Sequence, residues 1–129
     1  MQKKVLIVDD QEDMRTLISF ALFRCGYNLL QAENGPQAID IIEKEDPDII
    51  LLDVMMPKMS GLEVCEKIRA NGNQRARIIF LSACGQSSDI QTGLNLGANA
   101  YITKPFSPIH LIDEIKNQLQ QQNLGANEQ

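Results

Sequence analysis

The sequence predicts a doubly wound α/β domain, in which helices cover both faces of a parallel β-sheet. Short apolar runs recur along the 129 residues, and segments with helical periodicity lie between them. Because strand and helix alternate five times, we expect a parallel sheet joined by right-handed crossovers. Polar residues directly follow several of the apolar runs. A binding site is therefore expected at the carboxyl edge of the sheet.

Five segments are predicted as strands. Four of them are apolar, which is typical of parallel strands buried on both faces. The remaining segment is more polar, and we place it nearer an edge of the sheet. In chain order the predicted strands are residues 5–8, 27–32 (the more polar segment), 49–52, 78–81 and 100–102.

Five helices are predicted from apolar residues spaced three and four apart. Gly26 follows the first helix as a C-terminal stop, while Ser107 can cap the last helix and Pro108 can open it. The helical segments cover approximately residues 14–22, 38–42, 62–68, 88–96 and 108–119. Residues 1–119 are predicted to form one domain. Residues 120–129 are rich in Gln and Asn, and we interpret them as a flexible tail or the start of a linker.

Composition excludes several classes of protein. A content of 43% hydrophobic and 22% charged residues is that of an ordinary globular domain. The net charge of −5 and the absence of a Lys/Arg run argue against direct nucleic acid binding. No apolar stretch is long enough to span a membrane. Three widely spaced cysteines fit a reducing cytoplasm better than a disulfide framework.

Reactive side chains follow four of the predicted strands. Asp9 and Asp10 follow the first, Asp53 the third, Ser82 the fourth and Lys104 the last. Three carboxylates brought together repel one another unless a cation neutralises them. Oxygen ligands indicate a hard ion, and a small site that retains waters suits Mg²⁺ better than Ca²⁺. Because neighbouring strand residues face opposite ways, the chain must turn between Asp9 and Asp10.

Each of these residues also has a simpler explanation. An acidic residue after a strand is often a helix cap or a solvated loop residue, and Asp10 or Asp13 can cap the first helix. The combination of three carboxylates with Ser82 and Lys104 favours a site, because folding requires no such combination.

Five motifs together resemble the response-regulator receiver domains of two-component signalling. The match extends from Lys4 to Leu119. The motifs are Val-Asp-Asp at 8–10, Leu-Leu-Asp-Val-Met-Met-Pro at 51–57 with Gly61, Leu-Ser-Ala at 81–83, Leu-Gly-Ala at 96–98 and Tyr-Ile-Thr-Lys-Pro-Phe at 101–106. The resemblance implies a flavodoxin-like sheet of five strands in the order 2-1-3-4-5, with five helices on both faces.

The resemblance also implies a chemical role for each site residue. Asp53 would accept a phosphoryl group from a phosphohistidine of a sensor histidine kinase or a phosphotransfer protein. Lys104 would contribute positive charge, and Ser82 would bind a phosphoryl oxygen. The Lys104–Pro105 peptide bond would be cis. The implied ligands of Mg²⁺ are Asp9, Asp10, Asp53 and the backbone carbonyl of Met55.

A switch is implied as well. Ser82 would move toward the phosphate and Tyr101 would turn inward, changing the surface formed by helix 4, strand 5 and helix 5. Without the resemblance, Tyr101 would be an ordinary amphipathic edge residue. Met55 and Cys84 would influence the lifetime of the phosphorylated state. A redox role for Cys84 is a hypothesis, and simple packing is the alternative. His110 is expected on the surface.

Other functions fit the sequence less well. A phosphatase of the haloacid-dehalogenase kind needs a second Asp two residues after the first, where this chain has Met55. No glycine-rich nucleotide motif occurs. A receiver-like module that signals without phosphorylation would normally have lost part of the acidic, Ser and Lys set. The expected partners are a kinase and either a downstream protein or a missing effector domain, with a phosphorylation-dependent homodimer as a further option.

Overall fold

The fold was analysed in a computed structural model that describes residues 2–127. Five parallel strands form one sheet in the order β2-β1-β3-β4-β5, as predicted. The strands are β1 (Lys4–Val8), β2 (Asn28–Ala32), β3 (Ile49–Leu52), β4 (Arg77–Ser82) and β5 (Ala100–Thr103). The helices are α1 (Glu12–Leu22), α2 (Gly35–Glu45), α3 (Gly61–Ala70), α4 (Ser87–Asn95) and α5 (Pro108–Asn127), with a 3-10 turn at Phe23–Cys25.

The sheet separates two apolar cores. Alternate residues of a strand point to opposite faces, so Leu6 and Ile50 pack with α2 and α3, whereas Ile7 and Leu51 pack with α1 and α5. The three central strands are almost wholly buried. The more polar β2 lies at an edge, as its composition predicted. This arrangement confirms the predicted doubly wound fold.

Local chemistry explains where several helices begin. Asn34 accepts a hydrogen bond from the Gln37 amide at 2.9 Å, and Ser60 accepts one from the Glu63 amide at 3.2 Å. These side chains satisfy amide groups that have no partner inside the first turn of a helix. The predicted cap at Ser107 accepts from the His110 amide at 3.4 Å.

The end of α5 differs from the sequence prediction. The helix continues to Asn127, so residues 120–127 are helical where a flexible tail was expected. Gln is a good helix former, and the Gln122 side chain donates to the Arg75 carbonyl at 3.0 Å. Gln118, which is 4% exposed, accepts from the Arg77 guanidinium at 3.0 Å. Residues 128 and 129 lie outside the described residues. None of the helices in residues 2–127 is both long and apolar enough to cross a membrane.

Arg69 ties together three segments at the amino edge of the sheet. Its guanidinium donates to the carbonyls of Gly97 (3.0 Å), Asn73 (3.0 Å) and Ala76 (2.8 Å). It also donates to the Asn99 side-chain oxygen at 2.9 Å, and that oxygen accepts from the Ile78 amide. The end of α3, the start of β4 and the α4–β5 turn are thus held by one side chain.

The Arg69 contacts predict a large stability effect. Arg69→Met should lower the free energy of unfolding by about 2–4 kcal/mol, because buried carbonyls lose their donors. Chemical denaturation measures this value. Lys67→Met changes an exposed residue of the same helix and should cost less than about 0.5 kcal/mol. Equal effects of the two substitutions would contradict this role for Arg69.

Candidate functional site

Three carboxylates meet at the carboxyl edge of the sheet. Asp9 directly follows β1, Asp53 directly follows β3, and the chain bends at Asp10. Ligand oxygens of the three side chains all lie within 4.8 Å of one another. The bend satisfies the condition that both Asp9 and Asp10 reach one site. Asp9 and Asp53 are buried, while Asp10 is exposed, so the acidic cluster opens to solvent on one side.

Asp9 is fixed by contacts on both carboxylate oxygens. Its Oδ1 accepts from the Gln11 amide at 2.9 Å, and its Oδ2 accepts from Lys104 Nζ at 2.9 Å. The Asp9 carbonyl accepts from the Arg15 guanidinium at 2.8 Å. Because these donors lie at the start of α1 and directly after β5, Asp9 links the first helix to the segment that follows the last strand.

Asp53 lies between β3 and a tight loop. Its amide donates to the Val8 carbonyl at 3.1 Å, and its Oδ1 accepts a long 3.4 Å bond from the Met55 amide. Lys104 Nζ lies 3.7 Å from Asp53 Oδ2. Gly61 passes so close that a Cβ there would lie 2.0 Å from the Asp53 carbonyl oxygen. Only glycine therefore allows α3 to begin next to Asp53.

The loop after Asp53 contains an unusual backbone conformation. Lys58 has φ of 72°, and the Met59 amide donates to the Pro57 carbonyl at 2.8 Å. This bond across one residue is the pattern of a γ-turn, which is rare with positive φ. The turn brings the chain back to Gly61, whose amide donates to the Val54 carbonyl at 2.9 Å.

Burial dominates the electrostatics of Asp53. Desolvation raises the pKa of Asp53 to about 6, opposed by Lys104 and the Met55 amide and reinforced by the charges of Asp9 and Asp10. A raised pKa means that the surroundings disfavour the carboxylate form. An added cation would lower this pKa by favouring the ionised side chain.

Ser82 and Tyr101 are connected through the backbone of Cys84. The buried Ser82 hydroxyl oxygen accepts from the Cys84 amide at 3.1 Å. Tyr101 donates its hydroxyl hydrogen bond to the Cys84 carbonyl. The Lys104 amide donates to the Ser82 carbonyl at 2.8 Å, and the peptide bond between Lys104 and Pro105 is cis. Burial raises the pKa of Tyr101, which keeps its hydroxyl protonated.

Helix α4 packs directly on the Tyr101 ring. The rings of Tyr101 and Phe80 lie 5.8 Å apart at 47°. A Cβ at Gly93 would meet Phe80 at 3.0 Å and Tyr101 at 3.2 Å, so the absence of a side chain lets α4 approach both rings. A change in the Tyr101 position therefore has to be accommodated by α4.

The structure brings most of the predicted residues together. Asp9, Asp10, Asp53 and Lys104 form one group, and the Met55 amide contacts it. Ser82 lies at the end of the neighbouring strand. His110 is exposed at the start of α5, as expected. The contributions of Arg15, Lys58 and Gly93 were not predicted. A glycine inside a helical pattern was the available signal for Gly93.

An acidic cluster beside a lysine, at the carboxyl edge of a doubly wound sheet, defines a domain with a candidate metal site where sheets of this class bind their ligands. Comparison with known proteins agrees, since residues 5–116 match the response regulator receiver domain family. The transcriptional regulatory protein PhoP of Bacillus subtilis is 41% identical over 98% of this chain and 52% of its own length. A protein designated ycf27 of Guillardia theta is 41% identical over 97% of this chain and 48% of its own.

Solved structures show the same architecture. A response regulator receiver domain protein from Methanospirillum hungatei is 30% identical, with a TM-score of 0.91 over 97% of this chain and 99% of that one. A Francisella response regulator receiver domain is 29% identical, with a TM-score of 0.88 over 93% of this chain and 98% of that one. This chain belongs to the response regulator receiver domain family. It spans about half the length of the curated relatives it matches.

Two features of this family bear on the site. Phosphorylation and Mg²⁺ binding are general among receiver domains, and the cluster of Asp9, Asp10 and Asp53 is present in this chain. Its all-oxygen donor set, with one exposed carboxylate, suits a hard ion that keeps part of its water shell. The residues present therefore fit Mg²⁺.

The raised pKa of Asp53 predicts an unusual pH dependence. Because the pKa is about 6 in the folded chain and about 3.8 when unfolded, the folded state binds more protons between these values. The stability contribution of Asp53 therefore falls as pH rises from about 4 to 6. Without added metal, Asp53→Asn should stabilise the fold at about pH 8 by about 1–3 kcal/mol, and the gain should disappear near pH 4.

Denaturation with a chelator present measures this effect. Asp113→Asn, on an exposed α5 residue, serves as the control and should change stability by less than about 0.5 kcal/mol at both pH values. A pH-independent gain for Asp53→Asn would contradict the raised pKa.

Proposed function

We propose that this chain is a phosphoacceptor, in which Asp53 takes a phosphoryl group from the phosphohistidine of a sensor histidine kinase or a phosphotransfer protein. The observation that supports this most is the meeting of Asp9, Asp10 and Asp53 with Lys104. In the reaction an Asp53 carboxylate oxygen forms a bond to phosphorus, the phosphorus–nitrogen bond breaks, and the electron pair returns to the donor imidazole. The product is an acyl phosphate on Asp53.

The charges at the site explain why this reaction needs a metal. Three carboxylates would meet an incoming anionic phosphoryl group, and Lys104 offers only one positive charge. We assign the Mg²⁺ ligands to Asp9, Asp10, Asp53 and the Met55 backbone carbonyl. Mg²⁺ held by these ligands would neutralise charge on the phosphoryl oxygens. Burial of Asp9 and Asp53 strengthens these interactions because little water screens them.

Lys104 is the second source of positive charge. Its ammonium group contacts Asp9 at 2.9 Å and lies 3.7 Å from an Asp53 oxygen. A small rotation of its flexible side chain would move the charge from these oxygens to a phosphoryl oxygen on Asp53. Lys104 directly follows β5, which ends at Thr103, and this position at the carboxyl edge of the sheet supports the proposed role.

Ser82 and Tyr101 are proposed as the switch. A hydroxyl can accept and donate at once, so the Ser82 proton is available to a phosphoryl oxygen. Movement of Ser82 toward Asp53 would strain its bond with the Cys84 amide, and Tyr101 is bound to the carbonyl of the same residue. The displacement would reach Tyr101 and then Gly93 of α4. We therefore propose the α4, β5 and α5 surface as the output face.

The remaining roles follow from the relatives and from composition. We propose that residues 1–119 form the receiver unit and that residues 120–129 begin a linker, since PhoP and the ycf27 protein are about twice as long. Output would act on an effector domain or a separate protein target, including through a phosphorylation-dependent homodimer.

The net charge of −5 argues against direct nucleic acid binding by this unit. Three free cysteines favour a cytoplasmic location.

The acyl phosphate would be lost slowly by hydrolysis, and this is the only turnover that we propose. Met55, whose side chain is 66% exposed beside Asp53, and Cys84 are proposed to influence that lifetime. No contact among residues 2–127 assigns a redox role to Cys84.

Phosphorylation can be tested directly. Acetyl phosphate with Mg²⁺ should add one phosphoryl group to the wild-type chain, detected as the mass of the intact protein. Asp53→Asn, or removal of Mg²⁺ with a chelator, should abolish the addition. Asp40→Asn alters an exposed acid on α2 and should leave the addition unchanged. Absence of any adduct on the wild-type chain would favour a receiver-like module that signals without phosphorylation.

Removal of Lys104 should change Mg²⁺ affinity and the phosphorylation rate in opposite directions. Lys104→Met deletes a positive charge next to three carboxylates, so Mg²⁺ affinity should rise by about threefold to tenfold. The phosphorylation rate should fall by at least about tenfold because the phosphoryl oxygens lose a cation. Calorimetric Mg²⁺ titration and the time course of the mass increase measure the two effects. Lys116→Met on α5 is the matched control, and a parallel loss of both properties would contradict the proposed role.

A further inference from the structure

A groove runs between α2 and α3, away from the acidic cluster. It consists of two adjoining cavities of about 780 and 480 Å³ that share Ile39 and Asn71 in their linings. The groove begins near Pro36 and Met59 and ends near Gly72 and Asn73. Because α2 has 11 residues, the groove is about 16 Å long.

The floor of the groove is apolar. Ile42 and Ile68 form its deep part, and Ile39 and Met59 are only partly buried beside them. An apolar groove between two helices is the kind of surface into which a third helix can place its apolar face. None of the residues that we assign to phosphorylation lines this groove.

The two walls differ in charge. Asp40 and Glu43 lie three residues apart on α2, and Asp46 follows the end of the helix, so the three acids form an acidic row along the α2 side. Asp46 pairs with Arg75 at 3.1 Å, whereas Asp40 and Glu43 form no ion pair within residues 2–127. On the α3 side, Lys67 is the charged lining residue, and the rest of that wall consists of Ala70, Asn71, Gly72 and Asn73.

We propose that the α2–α3 groove binds an amphipathic helix of a partner protein, with apolar residues on the floor and basic residues against the acidic row. The apolar floor excludes a purely electrostatic contact such as nucleic acid, which the acidic row would also repel. A second copy of this chain is the less suitable occupant. A helix from elsewhere on one copy that entered this groove on another copy would make a head-to-tail contact, which builds rings or open chains and not a simple pair.

A synthetic amphipathic helix of about four turns, with leucines along one face and lysines along one flank, is the probe. Added to the 15N-labelled chain, it should shift the amide signals of Ile39, Ile42, Ile68 and Asn71 most. The same peptide with glutamates in place of the lysines should not bind. Signals that shift most at α1 or at the acidic cluster would overturn the proposal, as would failure of the lysine peptide to bind.

Charge reversal makes the test specific. Asp40→Lys with Glu43→Lys should weaken binding of the lysine peptide by at least about tenfold and allow the glutamate peptide to bind. Glu66→Lys with Asp113→Lys changes the net charge equally at exposed residues that do not line the groove, and it should weaken binding by less than about threefold. Equal losses in the two double variants would mean that net charge alone drives binding and would overturn the proposal.

A third variant blocks the groove without changing charge. Ala70→Trp, at an exposed lining residue, should weaken binding of the lysine peptide by at least about tenfold by filling the space above the floor. The amide spectrum of each variant without peptide verifies its fold. Unchanged affinity in Ala70→Trp would overturn the proposal, and none of these outcomes depends on phosphorylation of Asp53.

Discussion

The arrangement of the site depends on the repulsion among three carboxylates and on the single lysine that opposes it. At the 4.8 Å limit of their separation, two such charges repel by about 3 kcal/mol at an effective dielectric constant near 20. The Lys104–Asp9 contact at 2.9 Å attracts by about 6 kcal/mol on the same basis, before the cost of desolvation. Lys104 also lies 3.7 Å from an Asp53 oxygen, yet burial, reinforced by the charges of Asp9 and Asp10, keeps the pKa of Asp53 raised. The fold therefore holds an excess of negative charge at the site, which a divalent cation would neutralise.

Much of the fold was predictable because buried parallel strands carry a simple signal. The apolar residues 49–52 match β3 without error, and the polar character of β2 located it at the edge. The end of α5 was mispredicted because Gln and Asn carry no apolar periodicity. Its helix is supported instead by hydrogen bonds that Gln118 accepts from Arg77 and that Gln122 donates to Arg75, and such contacts are invisible in local sequence.

The site was predictable where strand ends fix the position of a residue. Asp9, Asp53 and Lys104 follow strands directly, so their convergence required only the parallel topology. Contacts that depend on loop geometry could not be foreseen. Nothing in the sequence Pro-Lys-Met signals the positive φ of Lys58. The contact between Arg15 and the Asp9 carbonyl depends on how α1 packs on the sheet.

The clamp formed by Arg69 has a mechanical consequence. By holding the α4–β5 turn at Gly97 and Asn99, it immobilises the end of β5 that lies farthest from the acidic cluster. Tyr101 lies only two residues beyond this anchored point, and Gly93 packs against its ring. Helix α4 ends next to the anchored Gly97, so its carboxyl end is held as well. The amino end of α4, which follows β4 at the carboxyl edge of the sheet, is the less constrained end of the helix.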